Sequence, residues 1–85
     1  MEFNIKIPDY DEKRGFKFEW ESDFDLEVNI VKDKVLIIAN KDGLISLARH
    51  LINLSQDHYP AGYNFHLDAY NSLEDGSNEL IIQKG

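Results

Sequence analysis

The sequence predicts an α+β fold: a mostly antiparallel sheet of five or six strands with one amphipathic helix packed on one face, in the order ββββαββ. Three observations lead to this expectation. Several short segments alternate apolar and polar residues, the signature of a half-buried strand. Residues 42–56 instead gather Leu and Ile on one half of a helical cylinder. Gly, Pro and Asp-Gly signals separate the segments, and no run resembles a linker or a repeat. With 85 residues, of which 42% are hydrophobic, a single domain spanning 1–85 is expected, because a second core would have too little apolar surface.

The first expected strand, Glu2–Ile7, sets Phe3, Ile5 and Ile7 against Glu2, Asn4 and Lys6, and Pro8 stops it. After a charged loop, Phe16, Phe18 and Trp20 alternate with Lys17, Glu19 and Glu21, placing three rings on one face. Leu26, Val28 and Ile30 repeat the pattern, and Lys32-Asp33-Lys34 is a hairpin connector without the usual glycine. Val35–Ala39 is apolar at every position. Such a run is expected as a central strand, buried on both sides.

The helix follows with Asn40 or Asp42 as its N-cap, Gly43 weakening its first turn, and Pro60 setting its limit. Its apolar half holds Leu44, Ile45, Leu47, Ala48, Leu51, Ile52 and Leu54, and is expected to lie in the concavity of the sheet. Ser46, Arg49, His50, Asn53, Gln56 and Asp57 should face water, with His58 as a favourable charge at the helix's negative end. Tyr63–Ala69 alternates as a strand, Asp75-Gly76 marks a turn, and Glu79–Lys84 closes the sheet.

One helix covers only one face of such a sheet, so the other must meet water or a partner. That open face is expected to carry Lys17, Glu19, Glu21, Glu27, Asn29, His66 and Asp68, with Leu36, Ile38, Val31 and Ile81 among them. Apolar residues set among acids resemble a binding surface. A loop or a second copy of the chain covering the same strip is the alternative.

Nothing in the sequence forms an enzyme signature, so no catalytic, cofactor or metal residues are expected. His66-x-Asp68 places an imidazole and a carboxylate on one strand face, but no other His falls at ligand spacing, and His66 reads as a surface or partner-contacting residue. The glycines form no phosphate cradle, and no elbow motif surrounds a serine. Phe16, Phe18 and Trp20 have acidic flanks, which fits core packing rather than a base-stacking platform.

Sixteen acidic residues against nine Lys and Arg give a formal charge of −7, which disfavours nucleic acid and anionic membranes and favours a basic partner. Cysteine is absent, so disulfides and thiol chemistry are excluded. The amino terminus lacks the basic start and apolar run of a secretory signal, and no stretch reaches the length of a membrane span. The expected compartment is the cytoplasm.

Three pieces of the second half carry a family resemblance: Asp42-Gly43-Leu44 with Leu47-Ala48 and His50-Leu51; His66-Leu67-Asp68 followed by Tyr70-Asn71-Ser72-Leu73; and Gly76-Ser77 with Glu79-Leu80-Ile81-Ile82. Together they resemble the bacterial Immunity protein 32 family, whereas residues 1–33 match no motif of it. The resemblance implies a non-enzymatic protein that binds and neutralises a cognate toxin of a polymorphic toxin system. No family binding residues carry over. Combined with the open acidic face, it makes Glu19, Glu21, Glu27, His66, Asp68, Tyr70 and Glu79 the candidate partner-binding residues. The alternative is a structural or regulatory interaction module, or a homodimer, with no toxin partner.

Overall fold

A computed structural model describes all 85 residues. It contains β1 (Leu26–Val31), β2 (Lys34–Ala39), α1 (Lys41–Leu54), β3 (Asn64–Leu67) and β4 (Leu80–Gln83). The class is α+β with one helix, as expected. A sheet of five or six strands is not formed: β1 and β2 make one antiparallel hairpin, and β3 and β4 make a second, separate antiparallel pair.

The two amino-terminal segments, Glu2–Ile7 and Phe16–Glu21, belong to neither ladder. For Phe16–Glu21 the reason lies on the helix. An extended chain needs partners for its N–H and C=O groups, and here side chains of α1 supply them. Ser46 Oγ accepts the Glu21 N–H (2.8 Å), His50 Nε2 accepts the Glu19 N–H (3.2 Å), and Asn53 Nδ2 donates to the Lys17 carbonyl (3.1 Å). Arg49 adds bonds to the carbonyls of Glu19 (3.2 Å) and Lys6 (3.1 Å), and Gln56 bonds that of Pro8 (3.3 Å). The helix therefore does for this segment what a neighbouring strand would otherwise do. Residues 17, 19 and 21 bond the helix through their backbone, while the rings of Phe16, Phe18 and Trp20 gather around His50.

This arrangement overturns the expected facing of the helix. The residues it buries are Gly43, Ser46, His50, Asn53 and Leu54, whereas Leu44, Ala48, Leu51 and Ile52 are exposed. At 100° per residue the buried arc is turned by roughly 130° from the centre of the apolar half. Hydrogen bonding to an otherwise unpaired segment decides the rotation, since leaving those buried backbone groups unmade is more costly than exposing several aliphatic side chains.

The helix start is specified locally. Asn40 is the N-cap, its Oδ1 accepting from the Gly43 N–H (2.8 Å) and also from the Asp25 N–H (2.9 Å), while its Nδ2 donates to the Asp23 carbonyl (2.8 Å). One side chain thus ties the entry to β1 onto the first helical turn. Gly43 is buried at that junction, where a Cβ would run into the Asp25 carbonyl. Its role is close approach, beyond any weakening of the turn.

At the other end, Lys84 reaches back from beyond β4. Its Nζ donates to the carbonyls of Tyr59 (2.7 Å), Gln56 (2.8 Å) and Ser55 (3.4 Å). The cation at the helix's negative end is therefore Lys84. His58, expected in that role, stacks flat on Tyr10 with ring centroids 4.6 Å apart.

In the first hairpin the two-residue turn Lys32-Asp33 has both φ angles positive, 52° and 63°, the conformation of a tight hairpin turn without its usual glycine. Leu26 and Val28 point into the core from β1. β2, expected as a central strand buried on both sides, is instead exposed from Lys34 to Ile38 and pairs only with β1. No third strand lies beside it.

The core comprises Leu26, Val28, Leu54, Tyr59, Phe65, Leu67 and Leu73. The aromatic row packs against it: Phe16 stacks on Phe65 (5.0 Å) and Trp20 on Phe24 (4.3 Å). Buried among these rings, His50 meets Trp20 edge-on at 4.4 Å and Phe18 at 5.2 Å.

Candidate partner-binding surface

β3 alternates strictly, with Phe65 and Leu67 buried and Asn64 and His66 exposed. The register places His66 opposite Ile81 and Asn64 opposite Gln83, so these four share the outer face of the β3–β4 pair. His66 Nε2 lies 3.1 Å from Asn64 Oδ1, and its Nδ1 lies 3.5 Å from Glu79 Oε2. The imidazole is thus oriented between an amide and a carboxylate, with half-exposed Ile81 beside it.

The loop leaving β3 is held by its own side chains. Asp68 Oδ1 accepts the N–H groups of Tyr70 (2.9 Å) and Asn71 (3.1 Å), and Asn71 Oδ1 accepts the Asp68 N–H (3.0 Å). The Asp68 carbonyl also accepts from Ser72 (3.0 Å) and Leu73 (2.9 Å), whose side chain anchors the loop in the core. On this braced turn Tyr70 stands fully in solvent, 100% exposed.

The remaining candidates separate. Glu21 pairs with Arg49 (2.8 Å) against the helix, and Glu19 lies 3.4 Å from Lys17. Glu27 is on the outer face of the first hairpin, accepting from Asn29 Nδ2 (3.2 Å). His66 and Glu79 are brought together and Tyr70 stands on the loop that leaves β3, while Glu19, Glu21 and Glu27 lie on other elements. The single open face expected for all of them does not exist, because the sheet that would have carried it is split.

Asp68 is engaged with its own turn, and no hydrogen bond links it to His66. No group of three or more His, Asp or Glu side chains is placed to hold a metal ion. The hollow beside His66, lined by Phe18, Trp20, Leu67, Asn71 and Ser72, measures about 110 Å³, well below the size of a ligand pocket.

Two features escaped the sequence. The first is a crowd of carboxylates where the hairpin meets the 74–78 loop: a proton shared with Asp25 and repulsion from Asp25, Asp75 and Glu27 hold the Glu74 carboxyl above its ordinary range. The sequence separation between Asp25 and Glu74 hid it. The second is the exposure of Val35 and Ile37 along with the expected Leu36 and Ile38, since a strand lacking alternation is either buried on both faces or open on both.

The chain is thus a small α+β protein whose His66, Tyr70 and Glu79 lie on the surface, while Glu19 lines a hollow of about 790 Å³ with Lys6, Tyr10 and His58. It belongs to the Immunity protein 32 family, whose model matches residues 34–85, from the start of β2 to the carboxyl terminus. No curated protein and no solved structure matches the chain. None of its helices is long and apolar enough to cross a membrane.

Proposed function

We propose that this chain is an immunity protein that binds a cognate toxin in the cytoplasm of the producing cell and blocks it, without catalysis of its own. The observation that carries this reading is Tyr70: the family-matched half of the chain holds a wholly exposed aromatic ring on a loop locked by Asp68 and Asn71. A rigid amphipathic ring loses little entropy on docking and is a favoured interface anchor. His66, Glu79 and Ile81 lie on the neighbouring outer face and would form the rest of the contact.

The acidic excess supports a basic toxin. Glu74, Asp25, Asp75 and Glu27 repel one another in the free chain, and a cationic partner would relieve that repulsion while speeding encounter. Of the other candidates, Glu27 joins this acidic group. Glu19 keeps a partly accessible carboxylate, whereas Glu21 and Asp68 serve by holding their neighbours in place.

The test is co-expression with the toxin domain encoded immediately upstream. The wild-type chain should restore growth, and Tyr70→Ala should abolish protection while its thermal melt stays at the wild-type temperature. A wild-type chain that fails to protect sinks the toxin reading. Full protection by Tyr70→Ala removes the 68–73 loop from the interface.

A further inference from the structure

The two edges of the first hairpin are treated differently by the fold. The two-residue turn makes Val31 and Lys34 a hydrogen-bonded pair, so the N–H and C=O groups of Leu26 and Val28 point outward from β1, and those of Val35, Ile37 and Ala39 point outward from β2. On the β1 side the 74–78 loop covers the edge: the Leu26 carbonyl accepts from Glu74, the Val28 carbonyl from Asn78, and the Val28 N–H donates to Ser77 Oγ. On the β2 side no bond reaches Val35, Ile37 or Ala39. That edge has no proline, bulge or inward charge, the devices by which free edges are ordinarily protected.

It is also apolar on both faces. Ile30, Val31, Val35, Leu36, Ile37 and Ile38 are all exposed, Val35 at 66% and Ile30 at 61%. A strand added to this edge would extend both apolar faces of the hairpin at once.

We infer that the β2 edge is the site at which two copies of this chain pair, antiparallel about a two-fold axis through Ile37, joining their hairpins into one four-stranded sheet. Local charge complementarity at the strand ends fits a second copy as the occupant. In this register Ile37 opposes Ile37 of the other copy, and Val35 opposes Ala39. Extended past the strand ends, the same pairing brings the Lys32-Asp33 turn of one copy beside the Lys41-Asp42 start of α1 in the other, so that opposite charges meet, twice by symmetry. The edge itself is almost free of acid, although each copy carries −7 overall. Dimerisation should therefore tighten with salt, which screens the long-range repulsion, whereas capture of a basic toxin should weaken.

Sedimentation equilibrium and cysteine crosslinking of the full chain test the pairing. The wild type at about 100 μM should sediment as a dimer, more completely at high salt, and Leu36→Lys, altered on an exposed face, should shift it at least tenfold toward monomer with its melt unchanged. The native chain has no cysteine. Ile37→Cys should form an interchain disulfide on mild oxidation, because residues facing across a hydrogen-bonded antiparallel pair have Cα atoms ~5.5 Å apart. Val35→Cys, displaced from the axis, should not. A wild type monomeric at all salt concentrations, or equal crosslinking of the two cysteine variants, overturns the pairing. Loss of toxin protection in Leu36→Lys from a monomeric wild type would also overturn it and assign the edge to the toxin. Tyr70 lies outside the paired strand, and its proposal stands or falls by its own assay.

Discussion

His50 Nε2 accepts the backbone N–H of Glu19 at 3.2 Å, linking the middle of the helix to an extended segment 31 residues earlier. Because Nε2 is the acceptor, the imidazole proton resides on Nδ1, which is buried without a hydrogen-bond partner among Trp20 and Phe18. The ring's role is to complete a ladder, and it does so only in its neutral form.

That constraint gives a pH dependence. Burial, reinforced by Arg49 and only partly offset by Glu19, lowers the His50 pKa from 6.5 to about 4. A histidine depressed on folding contributes stability that is whole above the unfolded pKa and is lost as pH falls from 6.5 toward 4. The loss should reach roughly 3 kcal/mol. Glu74, raised by Asp25 and its neighbours, acts with the opposite sign: its contribution favours the fold at acid pH and is lost as pH rises through its folded pKa. Urea denaturation of Glu74→Gln from pH 7 to 4 isolates the His50 slope, and a flat profile in that variant would contradict the assignment.

The rotation of α1 makes a prediction that the apolar pattern alone would reverse. Leu54, at 4% exposure, should cost about 2–5 kcal/mol when cut to alanine. Leu51, exposed on the outer arc, should cost under ~1 kcal/mol in the monomer. Asn53→Ala, which strands the Lys17 carbonyl, should cost about 1–3 kcal/mol despite removing a polar group from a buried position. Chemical denaturation in dilute solution ranks the three.

At Gly43 helix propensity and packing disagree. Alanine is better than glycine in a helix by ~1 kcal/mol, yet a methyl at this position collides with the Asp25 carbonyl, so Gly43→Ala should lower the melting temperature. Asn40→Asp keeps the cap to Gly43 but loses the Nδ2 donor to Asp23, and should destabilise by about 1 kcal/mol. A stabilised Gly43→Ala would mean that the helix start stands away from β1.

Lys84 should matter more than its place next to the last residue suggests. Lys84→Met removes three bonds from the carbonyls of Ser55, Gln56 and Tyr59, in the turns that follow α1, and should cost about 1–3 kcal/mol. Loss of protection at the amides of Ser55, Gln56 and Tyr59 in hydrogen exchange would locate the effect at the helix end.

Much of this architecture was legible in the chain. Alternation located β1, β3 and β4, Asn40 marked the helix start, and Phe16 and Trp20 pack against the core as expected, whereas Phe18 stays exposed at 39%. Glu2–Ile7 and Phe16–Glu21 have the same alternation but are not strands in a ladder, because period two reports a chain with one buried face and says nothing about what bonds its backbone. Of the candidate site, Tyr70, His66 and Glu79 could be found from their segment. The engagement of Glu21 with Arg49 and the crowding of Glu74 against Asp25 could not, since both depend on distant residues meeting.

The sequence by itself determined where backbone must extend or coil, the acidic charge, the absence of thiols, and which residues flank each turn, because all of these rest on neighbours within a few positions. The tertiary structure alone decided which face of α1 is buried and which edge of the hairpin is left open. Both follow from satisfying the backbone of Phe16–Glu21 and of β1 with side chains far away in sequence, and such bonds outweigh the local preference of aliphatic residues for the interior.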